Sequence, residues 1–183
     1  MQKQEVTGFG MTPDGKEARL YTLENKNGMK VRVSDFGAVL VNLFVPDKDG
    51  RLIDVVLGYG DAEGYEKGGA AIGATVGRNA NRIGGAGFEL NGVHYELAKN
   101  DNGKNSLHSG PDYYHKRLWE VKEYEADHVS LLLHSPDGDQ GYPGTLDMKV
   151  TYALDDDNTL TIHYDTVPDQ DTVINMTNHS YFN

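Results

Sequence analysis

The amino-acid sequence predicts an all-β protein, an antiparallel sandwich or barrel. Three observations carry that expectation. Apolar residues recur at every second position in several stretches, which is the strand period. Asn, Asp and Gly clusters separate those stretches where hairpins would turn. No window of about 12 residues or more carries the apolar stripe of a helix.

The elements follow in order. Met29, Val31 and Val33 alternate with Lys30, Arg32 and Ser34. Residues 38–45 are more continuously apolar, broken only by Asn42, which predicts a strand covered on both faces. Asp47-Lys48-Asp49-Gly50 reads as the turn that follows. Asn91-Gly92 sits between Phe88-Glu89-Leu90 and Val93-His94-Tyr95, and Asn-Gly accepts the positive φ angles of a type I′ hairpin. Leu146, Met148, Val150, Tyr152 and Leu154 alternate with Asp147, Lys149, Thr151 and Ala153. Asp155-Asp156-Asp157-Asn158 then turns the chain into Leu160, Ile162 and Tyr164, again in alternation. Each alternating stretch buries one face and wets the other.

Two stretches break this rhythm. Residues 58–87 carry ten glycines, and residues 99–116 are polar. Loops this long inside a compact domain are more often functional than idle. The chain ends on Asn178-His179-Ser180-Tyr181-Phe182-Asn183, at a predicted strand that starts near Thr172. A sheet edge left open there is an aggregation hazard, so the sequence predicts a continuation.

Composition bounds the function. The 183 residues suit one domain or a large part of one. Seventeen basic against twenty-eight acidic residues give a formal charge of −11, which repels nucleic acid and anionic membranes. There is no cysteine, so disulfides, thiolate metal sites and a cysteine nucleophile are excluded, as a reducing compartment would allow. Residues 1–10 have no apolar leader core, and no run of ~18 apolar residues exists to span a bilayer. A cytoplasmic location is expected.

Seven histidines are candidates for chemistry. His163 and His134 fall on wet positions of their strands, and His94 adjoins the Asn-Gly turn, so these are expected in solvent. His115 and His128 have no informative neighbours. No pair has zinc-protease spacing. His108, in Asn105-Ser106-Leu107-His108-Ser109-Gly110, and His179, in Thr177-Asn178-His179-Ser180-Tyr181, sit among polar and aromatic groups. An imidazole there either moves a proton near neutrality or ties a loop together. Arg78 and Arg82 lie in the glycine-rich stretch. A guanidinium forks to two oxygens, which suits vicinal sugar hydroxyls and carboxylates alike, and a surface salt bridge is the other reading.

Several segments, in order, resemble the aldose 1-epimerase (galactose mutarotase) family. They are Gly73-Ala74-Thr75-Val76-Gly77-Arg78-Asn79-Ala80-Asn81-Arg82-Ile83, then Asn105-Ser106-Leu107-His108-Ser109-Gly110, Gly141-Tyr142-Pro143-Gly144 and Thr177-Asn178-His179-Ser180-Tyr181-Phe182-Asn183. Ser34-Asp35-Phe36-Gly37-Ala38 and Val56-Leu57-Gly58-Tyr59 add support. The resemblance implies a large antiparallel β-sandwich of the galactose mutarotase-like supersandwich type. It implies interconversion of the α and β anomers of aldohexoses such as galactose and glucose, with no cofactor or metal. His179 matches the general acid that protonates the ring oxygen, and His108 the second active-site histidine. Asn81, Arg82, Ser180 and Tyr181 match binding positions.

Two departures accompany the match. Ser109-Gly110 stands where the family commonly has two glycines. Family members are also nearly twice as long, and their general-base glutamate and a sugar-binding aspartate lie in the half beyond this chain. The resemblance therefore implies that residues 1–183 are the N-terminal part of one sandwich. They would be a fragment, a clipped enzyme paired with its C-terminal half, or a truncated product, and inactive alone. Two other readings stay open. A non-catalytic carbohydrate-binding module would keep Arg82 and aromatic rings without needing two histidines. A hexose-6-phosphate 1-epimerase would carry added basic residues, against which the −11 charge weighs.

Overall fold

A computed structural model describes residues 4–183. The expected alternation produces two antiparallel sheets. The first contains β1 (Glu5–Met11), β2 (Glu17–Glu24), β3 (Lys30–Ser34), β4 (Val39–Pro46) and β5 (Leu52–Asp54), each paired with the next. The polar stretches that follow are not bare loops. They hold one short helix, α1 (Ala62–Lys67), and short strands β6 (Thr75–Val76), β7 (Arg82–Ile83), β8 (Gly87–Leu90), β9 (Val93–Glu96) and β10 (Ser106–Leu107). The second sheet is β11 (Glu120–Tyr124), β12 (His128–Ser135), β13 (Leu146–Leu154) and β14 (Leu160–Pro168), again paired in order. A last short strand, β15 (Thr177–Asn178), returns to pair with β6.

The period-2 pattern sets which faces meet. All five apolar residues of β13 that share a face, Leu146 to Leu154, are buried. They pack with Val31, Val33 and Leu40 of the first sheet and Leu131 of β12 in one core. That makes the two sheets a sandwich. β4 is covered on both sides, as its continuous apolar run predicts. Leu40 and Leu43 enter this core, while Val39 and Val41 join Phe9, Leu20, Ala62 and Tyr65 in a second cluster on the outer face.

Helix α1 escapes sequence analysis because six residues are too few to show a period. Its start follows local chemistry. Asp61 Oδ1 accepts the Gly64 N–H at 2.8 Å as an N-cap, and Ala62 and Tyr65 are its buried side. The turns form as expected. Asn91 and Gly92 take φ of 53° and 77°, the type I′ geometry. Asp47 and Asp155 each accept two backbone N–H bonds in their turns, through Oδ1.

The glycine-rich stretch is anchored by Arg78, which has no exposure at all. It is therefore neither a surface salt bridge nor a sugar ligand. Its guanidinium donates to the Pro143 and Gly144 carbonyls at 2.8 and 3.0 Å. It also donates to Thr172 Oγ1 at 3.2 Å and Ser135 Oγ at 2.6 Å. The Gly141-Tyr142-Pro143-Gly144 motif is thus a receptacle for this one side chain. Arg78→Met should leave those buried acceptors unpaired and cost about 3–5 kcal/mol. Urea unfolding measures it, and an unchanged midpoint would show that the receptacle closes without the guanidinium.

Candidate functional site

The site grows from short ladders that bring distant segments together. β7 pairs with β10, setting Leu107 opposite Arg82 and placing His108 beside that arginine. His108 and Ser109 both take φ of 53°, a left-handed geometry that costs L-residues roughly 1–2 kcal/mol each. Hydrogen bonds offset that cost. The His108 N–H donates to the Asn81 carbonyl at 2.9 Å, and the Asn81 N–H donates back to His108 Nδ1 at 3.0 Å. Ser109 Oγ accepts the Asn79 N–H at 2.9 Å and donates to the buried Tyr142 hydroxyl at 3.0 Å. A serine therefore fills this left-handed position with two bonds that glycine could not make.

His179 arrives from the other end of the chain. β15 pairs with β6, the His179 N–H donates to the Ala74 carbonyl at 2.8 Å, and the His179 carbonyl accepts the Gly73 N–H at 3.0 Å. Asn178 fixes the turn beneath it. Its Nδ2 donates to the Gly73 carbonyl at 2.9 Å and to the buried Tyr152 hydroxyl at 3.1 Å, and its Oδ1 accepts the Ser180 N–H at 3.0 Å. The two imidazoles end edge to face, with ring centroids 5.3 Å apart and planes at 88°. The Tyr181 ring stands 5.3 Å from that of His179.

The histidine pair and Arg82 form a wall shared by two hollows. One, of about 430 Å³, is bounded by Asn81, Asn175, Met176 and Thr177. The other, of about 520 Å³, is bounded by Gly68, Ala71, Tyr113, His115, Lys116 and Tyr181. No carboxylate lines either one among the described residues. A larger hollow of about 600 Å³ lies alongside, but its cations are taken up in ion pairs with Asp14, Glu66 and Asp112, and it contains neither histidine of the pair. Among the described residues, no three His, Cys, Asp or Glu side chains gather as metal ligands.

The surroundings of His108 act on its charge. Burial, then His179, then Arg82 hold His108 below the ordinary histidine range. Its Nδ1 accepts from Asn81, so the neutral ring carries its proton on Nε2, turned away from that bond. Arg82 is fixed by Asp101, with Nε to Oδ2 at 2.9 Å and Nη2 to Oδ1 at 3.4 Å. The Arg82 hydrogen bond, then that of Asn105, holds Asp101 below the usual carboxylate range.

Of the residues singled out in sequence, His108, His179, Asn81, Arg82 and Tyr181 come together. Ser180 stands apart. It lines neither hollow, and its hydroxyl is buried without a partner, because the Asn178-held turn carries it inward. His94, His134 and His163 are exposed as expected. Asp101 and His115 were not singled out. Asp101 looks like any acid in an acidic chain, and the only available signal was its place four residues before Asn105.

Known proteins resemble this chain in sequence and in fold. The family model described as Aldose 1-epimerase matches residues 19–183. The aldose 1-epimerase of Haemophilus influenzae is 46% identical over 179 residues, covering 98% of this chain and 51% of that protein. The galactose mutarotase of Homo sapiens is 41% identical over 175 residues, covering 96% and 50%. Among solved structures, an aldose epimerase homologue from C. elegans superposes with a TM-score of 0.86 at 36% identity, covering 91% of this chain and 51% of that one. Galactose 1-epimerase from Lactobacillus acidophilus gives 0.86 at 31% identity, covering 100% and 54%. The chain spans about half the length of the curated relatives it matches.

The tautomer is directly measurable. Long-range ¹H–¹⁵N NMR should show His108 with unprotonated Nδ1 and protonated Nε2 at neutral pH, titrating below pH 6.5. A midpoint at or above that value would show that burial and its cationic neighbours do not lower His108.

Proposed function

This chain belongs to the aldose 1-epimerase family, and from that premise we propose that it carries the acid side of a site that interconverts sugar anomers. The observation that carries the reading is the His108–His179 pair, edge to face at 5.3 Å beside Arg82 in a polar cleft. Like charges so close oppose each other. Burial holds His108 below the ordinary histidine range, and in this proposal His179 is the ring that delivers the proton.

In this proposal His179 gives its proton to the ring oxygen of a bound aldohexose as the bond from that oxygen to C1 breaks. A base takes the proton of the anomeric hydroxyl, and C1 becomes the aldehyde carbon. Rotation about C1–C2 presents the other carbonyl face. The reverse proton transfers close the ring as the other anomer. His108 donates its Nε2–H to a sugar oxygen. Arg82, with Asp101 setting its plane, and Asn81 bind hydroxyls, and Tyr181 borders the ring. No carboxylate lines the cleft among the described residues, which fits a general-base glutamate supplied by the remaining half of the enzyme. The proposal thus includes a C-terminal half as partner, residues 1–183 as the N-terminal part of one sandwich, and a cytoplasmic setting. A neutral sugar is favoured over a phosphosugar, because both cations lining the cleft already have acidic partners, Arg82 with Asp101 and Lys116 with Glu66.

Polarimetry on freshly dissolved α-D-galactose tests this, with glucose and glucose 6-phosphate as comparators. Native mass spectrometry first shows whether a second polypeptide travels with the 20.2 kDa chain. The complete assembly should catalyse mutarotation, and the 183-residue chain alone should fall about 10²–10⁴-fold below it. His179→Ala in the complete enzyme should cost a similar factor, and an unchanged rate would remove His179 from the role of acid.

A further inference from the structure

His115 has no part in the mechanism above, yet it is the third imidazole at the cleft. It is 8% exposed and stacked on Tyr113, with centroids 4.7 Å apart and planes at 27°. Its backbone carbonyl turns onto Gly37, where any Cβ would lie 2.3 Å from that oxygen, so only glycine fits opposite it. The ring borders the larger of the two hollows that share the histidine pair, and it makes no hydrogen bond to any described residue. Burial above all, then Lys116, His108 and His179, pushes it down to about 3. It is therefore neutral at any working pH, with one donor nitrogen and one acceptor nitrogen.

The ring is mostly buried, yet its nitrogens are not among the side-chain atoms sealed from solvent without a partner, so they stay open to a ligand. The polar space open to this ring is the hollow itself. We propose that His115 is a specificity-determining residue of the sugar site, exchanging hydrogen bonds with a hydroxyl other than the anomeric one in the hollow behind the His108–His179 pair. A hydroxyl suits it because it both accepts and donates, as the neutral imidazole does. The cation beside it, Lys116, is held by the Glu66 carbonyl at 2.7 Å and by the Glu66 carboxylate at 3.6 Å. The ligand group there is thus an uncharged hydroxyl, with Tyr113 as the rigid backing of the ring that reads it.

The inference rests on the sugar-site reading, and one titration separates the two. The Cε1–H signals of the histidines are followed by NMR in the complete assembly as D-galactose is added. His108, His179 and His115 should shift with one midpoint, and exposed His163 should stay still. His115→Phe keeps the stack on Tyr113 and loses both nitrogens. It should weaken binding by about fivefold to tenfold. His115→Gln should recover part of the loss. Shifts at His108 and His179 with a silent His115, or unchanged affinity in His115→Phe, overturn the inference and leave the sugar site standing. Silence at all three histidines overturns both. If His115→Phe does not fold, the wild-type titration and His115→Gln decide.

Discussion

Five consecutive residues, 78 to 82, hold the site together, each by a different bond. Arg78 is buried among the carbonyls of Pro143 and Gly144. Asn79 binds the Ser109 hydroxyl through its N–H. Ala80 donates its N–H to the Asn175 carbonyl at 2.7 Å. Asn81 exchanges two bonds with His108, and Arg82 grips Asp101. A guanidinium out of water is expensive unless its donors are satisfied. Four acceptors within 3.2 Å of its two terminal nitrogens offset most of that cost here, while Nε is buried without a partner. With Arg78 fixed, its neighbours are fixed too, and they carry the loop of one histidine and the approach to the other.

The same economy explains why the polar stretches read as loops. They contain almost no apolar alternation, because their order comes from hydrogen bonds between side chains and backbone. β7, β10, β6 and β15 are two residues each, too short to show a period. The sheets were legible because burial of one face imposes alternation. β13 and β4 could be assigned to their faces from sequence, and Asn91-Gly92 gave its turn type. The Arg78 receptacle was not legible. Gly141-Tyr142-Pro143-Gly144 stood out as a motif, but no local rule tells a reader that it encloses a guanidinium 63 to 66 residues earlier in the chain.

The site itself was partly legible. His108, His179, Asn81 and Arg82 were found through the order of motifs, not through spacing. Residue chemistry alone left each histidine as either a proton carrier or a structural tie. The structure shows the tie at His108. Its Nδ1 is a structural acceptor, and that bond leaves Nε2–H as the outward donor. His115 carried no sequence signal, because its meaning lies in Tyr113, Gly37 and the hollow it borders.

The return of β15 to β6 has a temporal consequence. The bond from Asn178 to Gly73 spans 105 residues of chain. The Arg82–Asp101 and Asn81–His108 contacts close over 19 and 27 residues. Short loops close at lower entropic cost and sooner than long ones. During synthesis from the N-terminus, the Arg82–Asp101 and Asn81–His108 contacts can therefore form while the segment bearing His179 is still being made, before Arg78 and Ala80 gain Thr172 and Asn175. The segment bearing His179 then docks onto a loop whose own short-range contacts can already be in place.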